Sequence, residues 1–401
     1  MEGLPFDYPI RRTRAVIDLD ALDHNLTLLS RQVPGAGLVP AVKADGYGHG
    51  AGAVAIACER WGVAMVAVAS LDEYLHLRDR GVTIPVLILD ELFPDEVPVA
   101  LTEGVRLTVG SVEYAHLLSD QAARLGVTAV VHVNLDTGMG RMGLHTATPE
   151  EDLIEIAALP ATDLEGVYSH FRGSDEADTT FAHEQIRRTE AVLAGLEKAG
   201  IRVRYRHIAN SGALIQFPSA VNWELVRPGI AMYGQYPGDD VDRSIGLRPV
   251  MRLESGLVKV TRYDREWTVG YGRTWKVRPG SVIGIVPIGY GDGYPRMLSS
   301  RAEVLVHGMR VPVAGRVSMD LIAVDLTGLP EEPEVGDEVV LMGRQEWSSR
   351  VENIDALELA RLCNTITYEI TCGFTPRVPR LYVRGGKAVA IQSIREGYRT
   401  F

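Results

Sequence analysis

Residues 37–62, GLVPAVKADGYGHGAGAVAIACERWG, read as one structural unit. A short apolar run, GLVPAVKA (37–44), leads through the glycine-rich DGYGHG into a helical pattern, AGAVAIACERWG (51–62), that stops at Gly62. Continuously apolar runs of this length suit strands buried on both faces. The same alternation recurs downstream. Further apolar runs are VAMVAVAS (63–70), IPVLILD (84–90), VRLTVG (105–110), TAVVHVNLD (128–136), LEGVYSHF (164–171), YRHIANS (205–211) and ELVRPGIAMYG (224–234). Helical patterns at 71–81 and 182–200 also end in glycine, a common helix stop. Eight strand-then-helix units predict an α/β fold, a (β/α)8 TIM-like barrel.

The pattern changes near residue 245. Turns such as RPGS and EVGDEV separate short β-rich runs, among them SGLVKVTRY, SVIGIVPIGY, AEVLVHG and DEVVLMG, with one helical segment at 351–365. We expect a barrel over 12–244 and a mostly antiparallel β domain over 245–401, with residues 1–11 packing on the latter. A chain of 401 residues exceeds one ordinary core, in keeping with two domains.

Composition excludes several classes. The net charge is −11, and no Lys/Arg-rich stripe marks a nucleic-acid partner. No apolar run reaches membrane-spanning length, and MEGLPFDYPIRRTR lacks an apolar h-region, so cytoplasmic residence is expected. Cys58, Cys363 and Cys372 show no CxxC spacing, so neither a disulfide framework nor a metal site is expected.

Chemistry in such a barrel sits at the carboxyl ends of the strands. The first run ends at Lys43. A lysine in an apolar strand is costly unless paired or covalently occupied, and it is the residue type that forms Schiff bases with carbonyl cofactors. The fifth run leads to Arg141, suited to directional bonds with anionic oxygens. The sixth gives His170, the seventh Asn210 and Ser211, and the eighth Arg227, Gly229 and Ile230. Ser211 with the backbone N–H groups of Gly229 and Ile230 would form a phosphate cradle late in the barrel. Taken singly, each is as readily a salt-bridge, packing or turn residue; their joint placement at successive strand ends is the signal.

AVKADGYGHG, the DTGM-R-G element, YSHF, ANS, VRPGIAMYG, VGYGRTW, PIGYGDGYPR, GRVSMD and YE-x6-RVPR, in order from about residue 15 to 382, resemble the signatures of bacterial alanine racemases. The resemblance implies pyridoxal 5′-phosphate (PLP) bound to Lys43, a barrel plus β domain, and a head-to-tail homodimer with shared active sites. Lys43 and Tyr271, the tyrosine coming from the partner chain, correspond to the two proton-transfer bases. Tyr47, Ser211, Gly229 and Ile230 match phosphate contacts, Asn210 lies beside them, Arg227 faces the pyridine nitrogen, and His170 lies behind it. Arg141, Met319 and Asp320 match carboxylate-binding positions. Tyr290, Arg296 and Arg316 match the entry corridor, with Arg296 the expected stabiliser of the Tyr271 anion. D-Alanine supply for peptidoglycan is also implied.

Two positions depart from the family pattern. Asn134 stands where many relatives carry a carbamylated lysine, and a chloride bridging Asn134 and Arg141 is the expected substitute. Pro376 replaces a tyrosine that touches the phosphate and narrows the gate, so serine becomes a second candidate substrate. The rival readings are a broad-specificity racemase, a decarboxylase of the same barrel plan, a non-catalytic PLP protein, and a PLP-independent barrel enzyme.

Overall fold

The computed structural model describes residues 10–400. They divide into two compact units: Leu22–Gly46 with Ala51–Arg248, and residues 10–21, Tyr47–Gly50 and 249–400.

The chain begins with strand β1 (Arg14–Asp18) and then enters the barrel strands β2 (Gly37–Leu38), β3 (Val66–Val68), β4 (Val86–Ile88), β5 (Arg106–Val109), β6 (Ala129–Leu135), β7 (Thr162–Ser169), β8 (Tyr205–His207) and β9 (Leu225–Val226). Strands β3 to β8 form a parallel sheet in chain order. The ring closes through parallel β2–β9 pairing (Gly37↔Leu225, Leu38↔Val226), an Ala41↔Ala67 bridge on the β3 side, and a 2.9 Å bond from Arg227 N–H to the Ala209 carbonyl. Each of the eight apolar runs thus holds one barrel strand. The helices Ala51–Trp61, Leu71–Asp79 and Thr180–Lys198 fall where the sequence places them. The core is the barrel interior, where Val39, Met65, Ala67, Leu87 and Leu225 cluster fully buried. Apolar burial of this kind contributes roughly 25 cal/mol per Å² of surface removed from water.

The second unit is built on a nine-stranded sheet, running Met309–Pro312, Glu303–Val306, Glu338–Trp347, Met251–Gly256, β1, Arg380–Arg384, Lys387–Ser393 and Gly397–Thr400, with Arg350–Ile354 added to Glu338–Trp347. A three-stranded sheet (Lys259–Arg262, Val282–Val286, Ile322–Asp325) and a small hairpin (Trp267–Val269 with Trp275–Val277) complete the β structure.

Two expectations shift. Strand β1 was expected inside a barrel starting at residue 12, but it pairs antiparallel with Met251–Gly256 and parallel with Arg380–Arg384. Its alternating burial, with Ala15 and Ile17 inward, suits an open sheet better than a strand buried on both faces. Helix over 351–365 was expected, but VENI pairs as a strand and the helix is Ala356–Cys363, capped by Asp355 accepting the Glu358 N–H at 2.8 Å. Residues 1–9 of the expected 1–11 segment lie outside the described residues. Arg11 does join the second unit, bonding the buried Asp292 at 2.7 Å.

Candidate active site

In the barrel unit, Lys43, Arg141, His170 and Arg227 come together beyond the strand ends. His170 reports this convergence. Burial, then the positive charges of Arg227, Arg141 and Lys43, hold its imidazole down at about 3, so it is neutral at physiological pH.

Arg227 is buried directly after β9. One guanidinium nitrogen donates to His207 Nδ1 at 2.6 Å; the other donates to the Ser169 carbonyl at 2.8 Å and lies 3.3 Å from His170 Nδ1. The guanidinium stacks 4.8 Å above the Tyr168 ring. Burial, then the charge on Arg141, brings it down to about 10, still fully protonated near neutrality.

Because arginine only donates, His207 Nδ1 must accept, and its Nε2–H is left to donate. That proton meets His132 Nδ1 at 2.8 Å, and His132 Nε2–H in turn meets the Glu165 carboxylate at 3.1 Å. Burial keeps both imidazoles neutral, His207 well below its ordinary value. Burial would raise Glu165, but bonds from His132 and Arg106 outweigh it and hold the carboxylate at about 2. The result is one directional relay, Arg227 to His207 to His132 to Glu165, crossing the barrel interior with every tautomer fixed. Gly166 admits it, since a Cβ there would come within 2.4 Å of His132 Nδ1.

Sequence reasoning missed His132, His207 and Glu165. The available signal was a histidine within an apolar run, VVHVNLD, which demands a buried partner.

Ser211 begins the helix Ser211–Gln216, capped by Asn210, whose Oδ1 accepts from Ala213 N–H at 3.1 Å and from Ser174 Oγ at 2.6 Å. The buried Ser211 Oγ accepts from Gly229 N–H at 2.9 Å and Ala231 N–H at 3.1 Å. With both lone pairs engaged, its hydroxyl can only donate onward. The Gly229 and Ile230 cradle therefore differs in detail from expectation: Gly229 N–H is spent on Ser211, and Ile230 opens the 3-10 turn Ile230–Tyr233.

Arg141 is exposed on the loop after β6. Asp136 organises that loop: its Oδ1 accepts from Gly138 and Met139 N–H at 2.9 Å and from Gly140 N–H at 3.1 Å. Partial burial would raise the Asp136 carboxyl, and these bonds lower it below its usual range. Asn134 donates from Nδ2 to the Met142 carbonyl at 2.5 Å, pinning the loop from the strand side.

The remaining expected residues lie in the second unit. Tyr47 is buried there, its ring 5.7 Å from that of Tyr368. Tyr271 is 70% exposed at the tip of the Trp267–Val269/Trp275–Val277 hairpin. Gly270 and Gly272, both at φ 72°, allow that tip to turn, and a Cβ on Gly272 would sit 3.2 Å from the Arg316 guanidinium carbon. Arg316 is thus set against the Tyr271 turn, while Arg296 lies exposed at the start of the turn Arg296–Leu298. Met319 and Asp320 are exposed and tied to the Tyr290 segment, with Gly291 N–H donating to the Met319 carbonyl at 2.8 Å and Tyr290 N–H to the Ser318 carbonyl at 3.0 Å. Arg377 bonds Asp320 at 2.6 Å, and its neighbour Pro376 is exposed.

A (β/α)8 barrel with Lys43, Arg141 and Arg227 near one buried imidazole beyond its strand ends, followed by a β domain, has the plan of a barrel enzyme that handles a small anionic guest. The description "Alanine racemase, N-terminal domain" matches residues 17–237, and "Alanine racemase, C-terminal domain" matches residues 250–382. Alanine racemase 2 of Caldanaerobacter subterraneus subsp. tengcongensis is 40% identical over 96% of this chain and 98% of its own. Alanine racemase of Syntrophobacter fumaroxidans is 42% identical over 89% and 93%. Among solved structures, alanine racemase of Clostridium difficile 630 superposes with TM-score 0.90 at 33% identity, covering 96% of this chain and 99% of that one. Alanine racemase of Bacillus anthracis with bound L-Ala-P gives 0.86 at 34%, covering 97% and 99%. The chain belongs to the alanine racemase family.

Proposed function

We propose that this chain interconverts L- and D-alanine as a homodimer, passing the α-proton between Lys43 and Tyr271 of the partner subunit. The observation that carries the reading is the convergence of Lys43, Arg141 and Arg227 around a neutral His170 at the strand ends.

The residues present fit PLP. Ser211 has only a proton left to offer, which suits a phosphate oxygen, and the three cations suit an anionic guest. Lys43 would hold the cofactor covalently, with Tyr47, Ser211 and Ile230 at its phosphate, Asn210 and Gly229 beside them supporting Ser211, and His170 beside its ring. PLP, when bound, supplies the electron sink that lets the substrate α-C–H ionise.

Arg227 can only donate, so a pyridine nitrogen facing it must accept and stay unprotonated. The relay to Glu165 fixes that donor-only orientation. Inverting configuration needs a base on each face, because a single base tends to return the proton where it found it. The Lys43 amine serves one face. The exposed Tyr271, with nothing in its own unit burying it, serves the opposite face of a partner's site. The Arg316 guanidinium lies against the same turn. Arg141, Met319 and Asp320 would hold the substrate carboxylate, and Tyr290, Arg296 and Arg316 would line the way in.

Asn134 pins the Arg141 loop without any modification. A chloride would take its second Nδ2 proton alongside Arg141; anomalous density would identify the ion, and an ordered water alone would exclude it. The reading extends to the cytoplasm, with D-alanine supplied to peptidoglycan synthesis. Among the described residues no helix is long and apolar enough to cross a membrane.

Serine is the second substrate reading, favoured by Pro376, which brings no hydroxyl to the gate. A decarboxylase reading is disfavoured by Arg227, since that chemistry calls for an acid at the pyridine nitrogen. The test is deuterium wash-in from D2O for all small L- and D-amino acids, on wild type, Lys43→Ala and Tyr271→Phe. Lys43→Ala should lose the cofactor linkage. Tyr271→Phe should keep the cofactor colour yet lose about 100-fold or more of exchange, chiefly from L to D. Unlabelled alanine from the wild type, or full activity of a lone subunit, would overturn the reading.

A further inference from the structure

The backbone directly after Lys43 runs the wrong way round. Ala44 (φ 52°, ψ 51°), Asp45 (φ 52°, ψ 46°) and Gly46 (φ 60°, ψ 44°) form a left-handed turn, and Tyr47 continues it at φ 52°. Only glycine adopts this region without steric penalty, and left-handed residues normally occur singly. Ala44, Asp45 and Tyr47 all carry that penalty, so surrounding structure must hold them there.

One side chain holds the start of the turn. Glu73 Oε1 accepts the Ala44 N–H at 2.6 Å, and Oε2 accepts the Ala69 N–H, just past β3, at 2.7 Å. Glu73 sits in the first turn of the helix Leu71–Asp79, and its own N–H is capped by Ser70 Oγ at 3.3 Å. In a simple capping box the carboxylate would fold back onto the cap residue's own N–H. Here its oxygens instead link the exits of two neighbouring barrel strands, one of which carries Lys43. The far end of the turn is tied separately, by Ala51 N–H donating to Asp45 Oδ1 at 2.9 Å and Gly46 N–H to the Val42 carbonyl at 2.8 Å.

We propose that Glu73 is a positioning residue for Lys43: its carboxylate clamps the left-handed turn and so fixes where the lysine amine points. The proposal rests on Lys43 carrying the cofactor.

The turn itself supplies the test. Glycine at position 44 makes the left-handed backbone cheap, and Ala44 is exposed, so Ala44→Gly removes little packing. If Glu73 works by holding strain, Ala44→Gly should rescue Glu73→Gln. Four holoenzymes are compared: wild type, Glu73→Gln, Ala44→Gly and the double variant. Two readouts are taken, namely amide hydrogen exchange of the peptide spanning residues 43–51 and the rate at which hydroxylamine strips the lysine-bound cofactor. Glu73→Gln should speed both about tenfold, the equivalent of one weakened charge-assisted bond. Ala44→Gly alone should stay near wild type, and the double variant should recover to within about threefold of it.

Ser70→Ala controls for the helix cap, because it weakens the same helix start and leaves the carboxylate bridge in place. The proposal is overturned if Glu73→Gln matches wild type, if the double variant is as impaired as Glu73→Gln, or if Ser70→Ala reproduces the Glu73→Gln effect. Borohydride reduction and peptide mapping of the wild type separates the two ideas. An unlabelled Lys43 would refute the cofactor reading, while the exchange data would still decide the clamp.

Discussion

His207→Phe tests the buried relay. Phenylalanine keeps the stack on Tyr168, where the rings lie 4.7 Å apart and within 9° of parallel, so the change isolates hydrogen bonding from packing. Two bonds are lost. The 2.6 Å acceptor for Arg227 disappears, leaving a buried guanidinium N–H without it, at about 1.5–3 kcal/mol. His132 Nδ1 loses its donor at 2.8 Å, costing roughly another 1–2 kcal/mol. The total is about 2.5–5 kcal/mol, and in a domain of this size each kcal/mol moves the melting point by about 2–4 °C. A fall of roughly 5–20 °C is therefore expected in a thermal melt followed by circular dichroism. His132→Phe cuts the same relay one link further on, so the double variant should fall short of the sum of the singles by more than about 0.5 kcal/mol. A drop under about 2 °C, or additive singles, would refute the claim that these groups act as one chain.

The remaining expectations are as follows. His132, His170 and His207 are all depressed in the folded chain, so the unfolded chain binds more protons below its histidine value of about 6.5. Their stability is whole above about pH 6.5 and erodes as pH falls, by up to roughly 1.4 kcal/mol per unit for each; Glu165, held near 2, adds loss below about pH 4.5 in the same direction. Melts at pH 7.5, 6 and 5 should show this descent, and a flat profile would contradict it. Asp136→Ala removes the acceptor shared by three loop N–H groups and should raise KM for L-alanine about tenfold with kcat changed far less, as measured by a coupled D-alanine assay. Pro376→Tyr should lower the serine-to-alanine ratio of kcat/KM by about 3- to 30-fold in a competitive exchange assay; an unchanged ratio would remove the argument that this proline widens the gate.

Much of this was legible in the chain. The barrel could be read because strands buried on both faces leave continuous apolar runs, and every run from 37–44 to 224–234 holds one. The neighbourhood of Lys43, Arg141, His170 and Arg227 could be read because strand ends gather in space whatever their order in sequence. The relay was harder. His132, Glu165 and His207 come from three strands, β6, β7 and β8, and meet only once those strands pair side by side in register. The expected barrel boundary at residue 12 took in β1, because nothing in RAVID itself shows which partners it will pair with. VENI was drawn into the helix after it because four residues are too few to show a period. Tyr271 could be singled out by motif alone, since the role proposed for it depends on a second chain.

Strand β1 also carries a consequence for how the molecule is made. It lies between Met251–Gly256 and Arg380–Arg384, the latter aligned with it in parallel, so its removal would cut the large sheet into two unconnected ribbons. During synthesis this segment emerges early, yet one of its neighbours is translated more than 360 residues later, at a typical pace of about 5–20 residues per second. The barrel between them can close in the meantime, while β1 waits with both edges bare for tens of seconds. A released fragment ending at Arg248 should therefore present a finished barrel trailing a protease-sensitive β1.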